Sequence, residues 1–157
     1  MSTWSKNSIA SDLLFSTLLL VASLVAVDGG KASERTTTNM KIRISIADKV
    51  VTATVADNAT ARDFVSVLPL KVSMKDLFGR EKYANLPKAL SENGPRTTSY
   101  EVGDIAYWSP AHDVAIYYKQ GGESIPSPGI IPIAKIDAGA EAFNVPGSLK
   151  VMIEIAK

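Results

Sequence analysis

The chain has no cysteine and a single histidine, His112. Those two facts remove much of the chemistry that side chains can do. Thiolate nucleophiles, thiolate metal sites and disulfides are excluded. Any other metal centre needs several histidines or a cluster of carboxylates. Neither occurs, so no metal and no other cofactor is expected. His112 follows Ser109-Pro110-Ala111 and precedes Asp113. In a turn of that kind it reads first as a solvated histidine and second as an acid–base group. A serine hydrolase needs a positioned Ser-His-acid set, and no nucleophile-elbow pattern is present. GGKAS, Gly29 to Ser33, lacks the spacing of a phosphate loop. What remains is an aromatic concentration: Tyr100, Tyr107, Trp108, Tyr117 and Tyr118. These residues suit core packing with surface stacking, or a groove for an apolar or proline-containing ligand. A nucleic-acid platform would add a basic excess. Here 17 basic residues meet 16 acidic ones, so nucleic acid is not an expected partner.

The aromatic residues sit in a string of short strands. Met40, Ile42, Ile44 and Ile46 alternate with Lys41, Arg43 and Ser45, the period of a half-buried strand. A turn at Asp48-Lys49 leads to a returning strand, Val50 to Val55. Between Thr60 and Leu68 the period changes. Ala61, Phe64, Val65 and Leu68 fall on one helical face, Thr60 can cap the first turn, and Pro69 ends the helix. Leu70 to Met74 and Asp76 to Ala84 read as strands, the second irregular at Gly79. Leu86 to Thr98 is loop, with room for one helical turn. Ile130 to Ile136 is a strand whose Pro132 implies an edge or a bulge. Ala140 to Asn144 fits a helical turn, and Leu149 to Ile155 alternates cleanly.

The most informative pair is Asp104 to Trp108 and Asp113 to Tyr118. A four-residue loop between them sets Tyr107 opposite Val114 and Ile105 opposite Ile116, on the core face. Ala106 and Ala115 then face each other on the other side, leaving a shallow place where another element can pack. Ile44, Phe64, Ile116 and Ile153 are expected in the core. The fold class expected is mainly β, a closed or nearly closed barrel of about eight strands with one clear helix and short helical turns.

Residues 13–27 form an uncharged apolar run that would span roughly 22 Å as a helix, against the ~30 Å of a bilayer core. Residues 1–32 therefore read as a signal peptide or, alternatively, as an N-terminal anchor. Residues 33–39 are a polar linker, and residues 40–157 are the barrel domain. The expected location is periplasmic or secreted, with the membrane a partner only through an uncleaved N-terminal segment. A start at Met40 is a third possibility and would make the protein cytoplasmic.

DLFGREKYANLP (Asp76 to Pro87), GDIAYWSPAHDVAIYYKQ (Gly103 to Gln120) and IPIAKID (Ile131 to Asp137) together resemble the bacterial cyclophilin-like fold family, small proteins of poorly defined function. The resemblance covers Met40 to Lys157 and implies a closed barrel of about eight strands with helices over its open ends. True cyclophilins are peptidyl-prolyl isomerases that set an arginine near the prolyl amide beside an apolar pocket. Their strand motif with phenylalanine, histidine and arginine is absent here. Arg80, in Phe78-Gly79-Arg80, is the arginine to nominate for such a role. The nominated ligand-binding residues are Phe78, Tyr107, Trp108, His112, Tyr117 and Gln120. Ser109-Pro110-Ala111-His112 stands where the nearer family often has a proline-glycine turn. Two functions follow: a non-catalytic binding module for a peptide, a protein or a small apolar ligand, or a diverged prolyl isomerase.

Overall fold

Eight strands close into one antiparallel barrel in the computed structural model, which describes residues 40–121 and 123–157. The strands are β1 (Lys41–Ile46), β2 (Lys49–Val55), β3 (Leu70–Leu77), β4 (Glu81–Asn85), β5 (Asp104–Trp108), β6 (Asp113–Tyr117), β7 (Ile131–Ile136) and β8 (Leu149–Ile155). Around the barrel they run β1-β2-β7-β5-β6-β4-β3-β8 and return to β1. Among the described residues, one helix, α1 (Ala59–Ser66), and a single 3-10 turn, Ala140–Phe143, accompany the strands. The expected apolar run at 13–27 and the linker at 33–39 lie outside the described residues.

Alternation decides which face each strand turns inward. Ile42, Ile44 and Ile46 of β1 are buried, while Lys41 and Arg43 are exposed. The inner residues of all eight strands meet in one apolar cluster. Phe64 of α1 and Phe143 of the 3-10 turn bring fully buried rings into it. Ile44, Phe64, Ile116 and Ile153, expected in the core from their spacing, all have no exposed surface.

The β5–β6 hairpin has the expected register, with Ile105 opposite Ile116, Ala106 opposite Ala115 and Tyr107 opposite Val114. Pro132 lies where β7 slips against β5: Ala134 pairs with Ile105, but Pro132 pairs with Ala106, leaving Ile133 as an extra residue. That is the bulge alternative, and a closed barrel has no edge for the other.

Four expectations need correction. Asn58, not Thr60, caps α1, its Oδ1 accepting from Ala61 N at 2.9 Å. Thr60 is instead wholly buried, donating to the Ser91 carbonyl and accepting from Gly94 N. The first hairpin turns at Ala47-Asp48, one residue early. Asp76 to Ala84 is not one strand but spans a hairpin, in which β3 ends at Leu77 and β4 starts at Glu81. Arg80 N donates to Leu77 O at 3.2 Å, and the two central residues, Phe78 and Gly79, both have positive φ (54° and 61°). That is the pattern of a type I′ turn, in which asparagine-glycine is favoured and phenylalanine is not. Finally, residues 86–98 hold no helical turn, and Thr97 pairs with Ile130 as an isolated bridge.

Candidate functional site

The outward face of β4, β6 and β5 carries Glu81, Tyr83, Asp113, Ala115, Tyr117, Ala106 and Trp108, because each alternates with an inward neighbour. At its centre Ala106 and Ala115 stand side by side, with too little side chain to fill the surface. The loop before β7 uses that room, and Ile125 and Ile130 pack there with Tyr100 and Tyr117 as a second buried cluster on the outside of the barrel. The shallow place expected opposite the core face is therefore occupied by this loop. Between the loop and the β3–β4 turn lies a cleft of about 350 Å³, large enough for a small ligand or a short stretch of peptide.

Arg80 and Glu81 form one side of the cleft. The Arg80 guanidinium lies between two rings, with its carbon 5.4 Å from the centre of Phe78 and 5.3 Å from that of Tyr100. Tyr100 in turn stacks on Tyr117 at 4.0 Å. Nη1 of Arg80 donates to the Glu123 carbonyl at 3.0 Å. Gly121 comes so close that a Cβ there would lie 2.8 Å from Arg80 Cδ and 2.9 Å from the Tyr100 hydroxyl. These contacts leave Arg80 8% and Glu81 6% exposed. Arg80 Nε and Glu81 Oε2 are 3.4 Å apart, yet neither has a hydrogen-bond partner among the described residues.

Burial sets the ionisation of this wall. It raises Glu81 above the usual carboxylate range, against the opposing pull of Arg80 and the Tyr117 hydroxyl. It likewise raises Asp113 across the cleft, against Asn85, His112 and Lys75. Tyr117 is pushed far above the ordinary tyrosine value, by burial first and by the Glu81 charge second. All are ordinary consequences of holding polar groups in a poorly solvated place. Among the described residues no group of side chains could hold a metal ion, and no helix is long and apolar enough to cross a membrane.

Of the residues nominated from sequence, the cleft brings together Arg80, Phe78, Trp108 and Tyr117. It leaves out three. Tyr107 points the other way, fully buried in the barrel interior, where its hydroxyl accepts from Leu90 N at 3.2 Å. His112 is exposed in the β5–β6 turn with φ 56°, and it does not line the cleft. Gln120 is exposed beyond the end of β6 and is likewise absent from the lining. The reading from sequence missed Glu81, Tyr83, Asp113, Ile125 and Ile130. The hairpin alternation already placed Asp113 on the same face as Tyr117. Nothing in the sequence located Glu81, because the turn at Phe78-Gly79 that sets its facing was not recognised.

The profile of the family described as cyclophilin-like matches residues 44–154, all eight strands except the outermost residues of β1 and β8. The solution structure of the hypothetical protein AF2241 from Archaeoglobus fulgidus superposes with a TM-score of 0.62 at 22% identity, covering 79% of this chain and 99% of that one. At that identity the likeness is one of fold. No curated protein matches the sequence. The barrel, its strand order and the extent of the profile match together place this chain in the cyclophilin-like family.

Proposed function

We propose that the domain is a non-catalytic binding module that works outside the cytoplasm and holds its ligand in the cleft on the outer β4–β6–β5 wall. The observation that carries this reading is the ion pair of Arg80 and Glu81, buried beside an apolar cleft, whose Nε and Oε2 lie 3.4 Å apart with no hydrogen bond among the described residues. Buried polar groups are nearly always bonded, and an exception calls for an explanation. A ligand that supplies the missing bonds is one.

The alternative is a diverged prolyl isomerase, favoured by an arginine beside an apolar-walled cleft. An isomerase must weaken amide conjugation against a barrier of ~18–20 kcal/mol, which calls for a strong donor at the prolyl nitrogen. Here the Glu81 carboxylate stands 3.4 Å from Arg80 Nε and offsets the guanidinium's field, while Nη1 is held by Glu123. We therefore expect the full chain to speed isomerisation of a proline-containing peptide by less than about tenfold, under ~1.4 kcal/mol of barrier. A larger acceleration that Arg80→Ala removes, in a variant that still folds, would make the protein an enzyme.

Export is supported by the apolar run 13–27, which is short for a permanent span. The intact mass of the protein from its native host tests it. A product that has lost the first 26 to 32 residues is expected. One retaining them points to an anchor, and a cytoplasmic product starting at Met40 overturns export.

A further inference from the structure

Away from the cleft, the outer face of β1, β8 and β3 carries a shallow depression of about 390 Å³. Register decides its lining. Met152 of β8 stands between Ser45 of β1 and Lys71 of β3, and Lys150 stands opposite Ser73. Lys71 and Lys150 are therefore diagonal neighbours on one face, with Ser73 beside both. Both lysines and Ser73 are exposed. Among the described residues neither ammonium has a hydrogen bond or an ion pair, and the Ser73 hydroxyl has no partner. Other surface cations are matched: Lys41, Arg43, Arg62, Arg96 and Lys135 each meet a carboxylate. Glu154, the carboxylate on the same face of β8, is the one taken by Arg43. Lys75, the next outward residue of β3, acts on the Asp113 carboxyl. Lys71 and Lys150 thus hold two positive charges on one diagonal with no acid to neutralise them. Like charges so placed repel and work against the fold.

We propose that this depression binds a terminal phosphate, with Lys71 and Lys150 flanking the group and the Ser73 hydroxyl donating to it. The site is separate from the cleft and stands whatever the cleft holds. A phosphate monoester brings close to two negative charges at neutral pH, which match the two ammonium groups. Its three free oxygens accept from several donors at once, and two ammonium groups and a hydroxyl supply them. A carboxylate, with one charge, would leave one ammonium unmatched. The depression is open, with Met152 beside the lysines, so the phosphate can be the end of a larger molecule. Lysine acts here as a point charge. It therefore takes the same group from a soluble phosphate monoester or from the head of an anionic lipid.

The test has two arms, both on the full chain. In the first, the ¹⁵N-labelled protein is titrated with inorganic phosphate, with ionic strength held constant by sodium chloride. Saturable shifts are expected at the amides of Lys71, Ser73, Lys150 and Met152. The double variant Lys71→Gln/Lys150→Gln, which changes exposed side chains, should keep its melting temperature and lose about tenfold or more in affinity. Ser73→Ala should lose about threefold. In the second arm, parent and double variant are sedimented with phosphatidylcholine vesicles with and without phosphatidic acid, which presents the same terminal phosphate. Comparing the two vesicles cancels any binding by the apolar run at 13–27. A preference of the parent for the acidic vesicles that the double variant lacks assigns the phosphate to a lipid head. Saturable phosphate binding without that preference assigns it to a soluble molecule. Shifts that sodium chloride alone reproduces, or that the double variant retains in full, overturn the site. So does a chain that neither responds to phosphate nor distinguishes the two vesicles.

Discussion

Lys82 has no exposed surface, and its ammonium nonetheless meets an oxygen in every direction it donates: Asp76 Oδ2 at 2.8 Å, the Val145 carbonyl at 2.5 Å and the Gly147 carbonyl at 2.9 Å. The Tyr118 hydroxyl donates to the same Asp76 oxygen at 2.6 Å. Burial alone would raise Asp76, but the hydrogen bonds from Lys82 and Tyr118 outweigh it and leave the carboxyl below its usual value. Tyr118 is pushed up to about 12, by burial and then by Asp76. Removing the ammonium strands a carboxylate and two carbonyls, so Lys82→Ala should cost about 3–5 kcal/mol in urea unfolding. None of this could be read in the sequence. A lysine between Glu81 and Tyr83 looks like a solvated strand residue until the turn before it is placed. Asp137 gives the clearest acid signature. Hydrogen bonds from Lys41 and Thr54, then Thr52, hold its pKa at about 2, against 3.8 ordinarily. The folded value lies below the unfolded one, so the stabilisation is fully present above about pH 4 and is lost as pH falls through about 2. Asp137→Asn should flatten the dependence of the urea midpoint on pH across that window, relative to the parent protein.

At the level of elements, alternation carried most of the information. Four interior residues on four elements were assigned correctly because period two and the i, i+3, i+4 pattern leave little choice of face. Ile44→Ala should accordingly cost about 2–5 kcal/mol. Arg43→Ala, next to it but outward and paired with Glu154 at the surface, should cost under about 1 kcal/mol. Similar losses in parallel urea melts would mean that β1 faces the other way. Turns were harder to read. The α1 cap was placed two residues late because Thr60 and Asn58 are both good caps. Asn58→Ala should cost about 1 kcal/mol by thermal unfolding, since its Oδ1 serves Ala61 N. Its Nδ2 also donates to the Pro132 carbonyl, tying the start of α1 to β7. The β3–β4 turn was misread because phenylalanine is a poor sequence signal for positive φ. That one error hid the facing of β4, and with it Glu81. The same rule of alternation explains Tyr107. It belongs to the aromatic concentration in sequence, but it lies one position from Trp108 and so on the other side of the wall.

For the molecule as a whole, closure of the barrel was legible in the number and spacing of the strands, while the order around the ring was not. The order is decided by pairings far apart in sequence: β1 meets β8, and β3 meets β8 as well. Thus β8 fills the gap between β1 and β3, pairing Ile153 with both Ile44 and Leu70. Cutting the chain before residue 149 should leave no cooperative thermal transition, whereas trimming Ala156 and Lys157 should leave a folded barrel. The arrangement also has a consequence for synthesis. While the ribosome has made β1 to β7, β1 and β3 each present an unpaired edge, and the core lacks Val151 and Ile153. Such a chain has no closed state to fall into, and long-range strand pairing is slow even when every strand is present. The barrel is thus completed only after its last strand has been made, and a nascent chain kept open in this way is in the unfolded form that can be threaded through a narrow pore.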